Sequence, residues 1–160
     1  MKSGAKMTQD NFASIIKAIS DIAKKDVLIG IPDSDPDRRD GPISNAQIGY
    51  IQETGSPANN IPARPFLVPG VQDVQEQCAE RLGKAADAAL GGSMQAAERQ
   101  LTSAGITAEN SVKRKINSNI QPELADSTLE ARRRRGVTRE NTLVDTGQLR
   151  NSVTHIIRNK

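Results

Sequence analysis

The apolar positions at the start of the chain change period within thirty residues. Phe12, Ile15, Ile16, Ile19 and Ile22 recur at helical spacing and predict an amphipathic helix over roughly residues 8–25. Thr8 or Asp10 is placed to cap it. Val27-Leu28-Ile29-Gly30-Ile31 follows at once, rich in β-formers and ended by Pro32, and predicts a buried strand. Residues 33–42 are dense in Asp, Pro and Gly and predict an exposed loop.

Ser44 is an N-cap for a short helix from Asn45 to Thr54, closed by Gly55. Four prolines in residues 56–69 predict an extended connector lying on the surface. Its Phe66, Leu67 and Val68 are too apolar to stay in water, so some surface must receive them. Val71, Val74, Cys78, Leu82, Ala85 and Ala89 mark a long helix that Gly91-Gly92 weakens or interrupts. Met94, Ala97, Leu101 and Ala104 resume the same face, and Gly105 is expected to end it. Thr107 then caps a further helix through Val112 and Ile116 to about Ile120, before Pro122. Ser127 opens a short basic helix ending at Gly136, and Asp145 caps a turn over Thr146 to Ser152. Val153 to Ile157 reads as a strand. The class is α+β: a small sheet, an N-terminal helix, long central helices, and irregular Pro-rich and Arg-rich connecting segments. Residues 1–160 read as one domain, with no internal repeat.

Composition sharpens this picture. Phe12, Tyr50 and Phe66 are the only large aromatic rings among 160 residues, so the core is built from Ile, Leu, Val and Ala. Such a thin core favours a chain that gains stability by assembling with copies or partners. The net charge of +3 conceals an asymmetry. Residues 111–160 carry eleven Lys/Arg against five Asp/Glu, whereas residues 41–110 carry four against seven. A basic last third suits DNA, an acidic protein surface or simply solvent. The single cysteine, Cys78, excludes an intrachain disulfide and reads as a small core residue. No apolar run is long enough to span a bilayer and no secretory signal opens the chain, so a cytoplasmic origin without membrane contact is expected.

Candidate chemistry is sparse. His155 is the lone histidine and makes neither a metal site nor a base by itself. Asp33, Asp35 and Asp37 alternate like the start of a calcium loop. The pattern then places Arg38 where a glycine is needed and Ser44 where a bidentate glutamate is needed. Phosphate-cradling glycine motifs and a nucleophile elbow are absent from the sequence. Neither an enzyme, a cofactor nor a metal is expected. Arg132-Arg133-Arg134-Arg135 is the densest charge run, with Arg139 close by. On a helix, four consecutive residues spread around most of a turn and cannot share one partner. The run lacks interleaved aromatics for base stacking and any accompanying DNA-binding motif. A solvated or protein-docking segment accounts for it slightly better than non-specific phosphate binding.

Two stretches carry a family resemblance. Ala46-Gln47-Ile48-Gly49-Tyr50-Ile51-Gln52-Glu53-Thr54-Gly55-Ser56, followed by Ile61-Pro62-Ala63-Arg64-Pro65-Phe66-Leu67, resembles the A-x-I-x-x-x-x-E-x-G … I-P-A-R-P-F-L signature of small neck, tail-completion and virion-morphogenesis proteins of tailed phages. Leu124 to Arg132, then Leu143-Val144-Asp145-Thr146-Gly147-Gln148-Leu149-Arg150-Asn151-Ser152-Val153, resembles the L-A-x-S-T-L … L-x-D-T-G-Q-L-R-N-S-I signature of the same proteins. The two segments stand in the reverse of their order in the virion-morphogenesis branch. The resemblance implies a structural, non-enzymatic virion protein at the head–tail junction, assembled in the bacterial host cytoplasm. It implies a homo-oligomeric ring, with head-completion or connector proteins and tail-terminator proteins as further partners and channel DNA as a possible contact. Arg64, Phe66, Leu67, Arg132, Arg133, Arg134, Arg135, Asp145 and Leu149 are the assembly residues expected on this basis, with 33–43, 56–69 and 126–142 as interaction loops. The alternative from a different class is a small non-specific DNA-binding protein using the Arg132–Arg135 run.

Overall fold

A computed structural model describes residues 11–33 and 42–160. Among them the order is α1 (Phe12–Ala23), β1 (Lys25–Gly30), α2 (Asn45–Thr54), a 3-10 turn (Pro57–Asn59), α3 (Leu67–Gln72), α4 (Gln75–Leu90), α5 (Met94–Asn117), α6 (Asp126–Arg134), α7 (Gln148–Ser152) and β2 (Thr154–Asn159). The fold is α+β: seven α-helices with one two-stranded antiparallel sheet among the described residues.

Helix α1 begins after Asn11, whose side chain makes no cap bond; the expected caps Thr8 and Asp10 lie outside the described residues. β1 pairs with β2 in an unbroken register from Lys25 opposite Asn159 to Gly30 opposite Thr154. The strand expected to be buried is half-exposed along its whole length. The reason is architectural: α5 packs on both strands from one side and the other side of the sheet carries exposed Ile156. Most of the 33–43 loop lies outside the described residues.

Helix α2 has the expected boundaries. Ser44 Oγ accepts from the Gln47 N–H at 3.2 Å and Gln47 Oε1 accepts from the Ser44 N–H at 3.0 Å, a reciprocal cap. Gly55 ends it at φ 79°, where a Cβ would lie 2.9 Å from the Ala63 nitrogen. The connector is not extended throughout. It makes the Pro57–Asn59 turn, closes a bridge between Ser56 and Ile61, and becomes helical at Leu67. Pro69 is tolerated there because first-turn N–H groups have no intrahelical acceptor to lose.

The largest departure from expectation is α5. It runs unbroken through Gly105 and Thr107 for 24 residues. Gly105 is not a terminus but the point where the His155 ring of β2 crosses the helix, and a Cβ there would collide with the ring. The interruption at Gly91-Gly92 is a reversal: Ser93 Oγ caps α5 by accepting from the Ala96 N–H at 3.3 Å, and α4 and α5 pack side by side. Their interface, with Ala85, Ala89, Ala97 and Leu101 buried, also receives Ala18, Ile22, Val27 and Ile157. Small side chains allow close approach here but bury little area each. The larger core holds Phe66, Val112, Ile116, Leu143, Val144, Leu149 and Val153, flanked by Ile29, Ile31 and Ile48. Among the described residues no helix is long and apolar enough to cross a membrane.

Candidate functional site

The first signature segment is a self-locking turn. Glu53, in the last turn of α2, accepts backbone N–H groups of Phe66 (2.7 Å), Leu67 (2.8 Å) and Val68 (3.0 Å). Those are orphan donors of the α3 N-terminus, so one carboxylate caps a helix thirteen residues onward. Phe66 thereby enters the core with 1% exposure, and Leu67 packs partly buried against the same cluster. Arg64 is 5% exposed and donates Nε to the Pro122 carbonyl at 2.7 Å and an Nη to the Glu123 carbonyl at 2.9 Å. Burial pulls its pKa down, and the charge of Arg132 adds to that.

Arg132 organises the second segment. It is 5% exposed, and its guanidinium donates to the carbonyls of Asn141 (2.7 Å), Arg139 (3.1 Å), Thr142 (3.3 Å) and Val144 (3.4 Å). A planar fork is suited to serve several carbonyls at once. Burial pulls its pKa down; Asp145, 3.8 Å from Nε, opposes that and Arg135 reinforces it. The cage fixes residues 139–145 so that Leu143, Val144 and then Leu149 point inward beside Phe66. The two signature segments, far apart in sequence, thus meet in one core.

The arginine run splits by burial. Arg132 faces in, while Arg133, Arg134 and Arg135 are exposed. Each exposed one reaches an acid: Arg133 with Glu140 at 3.3 Å, Arg134 with Glu130 at 3.6 Å, and Arg135 with Asp145 at 2.9 Å. Residues 126–145 hold five arginines and four acids, a net of +1. Two expected caps are corrected here. The α6 N-cap is Ala125, not Ser127, with Asp126 in the first turn. Asp145 does not cap α7; the N-cap is Gly147 at φ 89°, and the Asp145 carboxylate is held by arginines instead.

Of the expected assembly residues, Arg64, Phe66, Arg132 and Leu149 are inside the monomer and cannot touch a neighbour directly. They hold the segments that do reach the surface. Arg133–Arg135 are exposed, and Leu67 and Asp145 are half-buried. Glu53 lies in the first segment too, and nothing in the sequence links it to N–H groups thirteen residues away. His155 has a partner that the sequence did not expose: its Nδ1 is 2.6 Å from Glu109 Oε2, whose other oxygen accepts from Lys113 at 2.5 Å. The trio braces β2 on α5. Cys78 is half-buried on α4, with Sγ 3.7 Å from the Ala104 carbonyl; burial pushes its thiol pKa up, against the pull of Arg81.

A polar cleft of about 250 Å³ adjoins the Arg132 cage, lined by Gln52, Arg135, Thr142, Asp145 and neighbours. Its chemistry is hydrogen bonding and ion pairing, without a nucleophile–base pair among the lining residues. No protein-family model, curated protein or solved structure matches this chain.

Proposed function

We propose that this chain is a structural protein of a tailed-phage particle, joining the finished tail to the DNA-filled head as one of several copies in a ring. The observation that carries the proposal is the convergence of the two signature segments. Phe66 of the first and Leu143, Val144, Leu149 and Val153 of the second pack in one cluster. Residues that resemble a family pattern for a structural reason should be the ones that build the core and lock its connections. Glu53, Gly55, Arg64 and Arg132 fit that role through the contacts described above.

The charge arrangement supports the same reading over the DNA-binding alternative. Phosphate-binding surfaces present uncompensated cations whose counterions are released on binding. Here Arg132 is consumed by carbonyls, and Arg133, Arg134 and Arg135 each have an acidic neighbour. An ion-paired helix is better suited to a protein surface than to a nucleic acid.

Labelling the protein within intact particles tests the proposal. Gold-conjugated antibody against the chain should decorate the head–tail junction in electron micrographs. Label on the tail tip or capsid faces, or particles that carry no label at all, would overturn it.

A further inference from the structure

Among the described residues the β1–β2 sheet has no third strand on either edge, and its register fixes which backbone groups point outward. The Lys160 N–H donates to the Lys24 carbonyl at 2.7 Å, so residues 24 and 160 form a hydrogen-bonded pair. In an antiparallel ladder such pairs alternate. Asp26 with Arg158 and Leu28 with Ile156 are therefore the next bonded pairs, and Lys25, Val27 and Ile29 turn their N–H and C=O groups outward from β1. His155, Ile157 and Asn159 do the same from β2. Among the described residues no further backbone bond reaches these six positions.

We propose that β1 of one copy pairs with β2 of the next, antiparallel and in the register already used within the chain. This deepens the ring reading and rests on it. The register repeats without a slip: the outward positions meet as Lys25 with Asn159, Val27 with Ile157 and Ile29 with His155 of the next copy, each an available bonded pair. Between them Asp26 faces Arg158 of the next copy and Leu28 faces its Ile156, so charge meets opposite charge and apolar meets apolar. The residues that match across the inner pairing match again across the outer one.

Three further observations favour a second copy as the occupant. Neither strand carries a proline or a break in register, and the charged side chains that would discourage indiscriminate pairing, Lys25, Asp26 and Arg158, are of both signs and so select the partner strand. A two-stranded ribbon gains stability from further strands. And α1 leads into β1 through Lys24 alone, carrying the exposed apolar side chains Ile15, Ile16 and Ile19. The polar side of α1 holds an ion pair, Lys17 with Asp21 at 3.0 Å, rather than the lysine-rich face of a membrane-surface helix. Because the two edges differ, the contact is heterologous, and repetition of a heterologous contact builds a ring when its rotation closes.

Proline substitution tests this without touching the inner ladder. Val27→Pro and Asn159→Pro each delete an outward N–H; Asn159 is exposed, so its variant keeps the core if Val27→Pro does not fold. Sedimentation velocity of the full chain, with circular dichroism as the fold control, should show a wild-type oligomer and loss of that species in the folded proline variants. A wild type that stays monomeric at every concentration overturns the proposal. An oligomer that survives Asn159→Pro overturns the edge pairing alone, leaving the ring reading, whose own failure is read on labelled particles.

Discussion

Glu53 holds the backbone of Phe66: its Oε2 accepts the Phe66 N–H at 2.7 Å, and the same carboxylate takes the next two N–H groups. The end of α2 is thereby tied to the start of α3, and the largest core side chain is set in place. Glu53→Ala leaves three donors at a helix start without their acceptor. A loss of about 2 kcal/mol is expected, the scale of a cap with charge-assisted bonds. Urea unfolding checks it, as a lower midpoint with unchanged slope. An unchanged midpoint would mean that the carboxylate is not a cap in solution.

The four arginines at 132–135 should separate sharply. Arg132→Ala orphans a cage of carbonyls and is expected to cost about 3 kcal/mol or more. Arg132→Lys should recover only part of this, since an ammonium cannot reproduce the fork. Arg133→Ala and Arg134→Ala, in exposed pairs, should each stay within about 0.5 kcal/mol of wild type. Equal effects along the run would contradict the burial pattern.

Gly105 and His155 form a test of packing. Gly105→Ala puts a methyl group into the imidazole, and overpacking of this kind costs about 1–3 kcal/mol, less the gain in helix propensity. Removing the ring by His155→Ala should relieve the clash. The double mutant is then more stable than the sum of the single changes implies, a coupling read from a thermal or urea double-mutant cycle. Strict additivity would show that the two do not touch.

The Glu109 carboxyl titrates below the usual carboxylate range. Burial alone would raise it, but hydrogen bonds from Lys113 and His155, together with their charges, outweigh that. A carboxyl with a lower pKa folded than unfolded contributes stability above its unfolded pKa, and that contribution is lost as pH falls through the folded value. Acid should therefore weaken the fold in that window, and Glu109→Gln should flatten this part of the stability–pH curve. An identical acid profile in the variant would assign the loss to other carboxylates.

Local signals were legible in the sequence where they sufficed. The Ser44 cap and the Gly55 stop of α2 follow from short-range patterns, and the structure agrees with them; the single helix expected from Val71 through Ala89 is instead two, α3 ending at Gln72 and α4 starting at Gln75, with Leu82 of the expected apolar face exposed. Gly105 reads as a terminus in the sequence because a helix interrupted by glycine and a helix crossed closely by a strand share one signature. The start of α3 has no local signal because its cap comes from Glu53, not from an adjacent residue. Asp145 looked like a cap by position, but an arginine ten residues away claims its carboxylate at 2.9 Å. Each miss is a long-range contact overriding a local preference. The same limit hid the burial of Arg64 and Arg132, which a sequence presents as surface charge.

The most direct test of the central claim is deletion of the gene from the phage genome that encodes it, with lysates viewed by electron microscopy and a plasmid copy supplied for rescue. The account predicts filled heads lying beside separate finished tails, and joined, infectious particles once the wild-type chain is restored. Intact infectious particles from the deletion alone would contradict it.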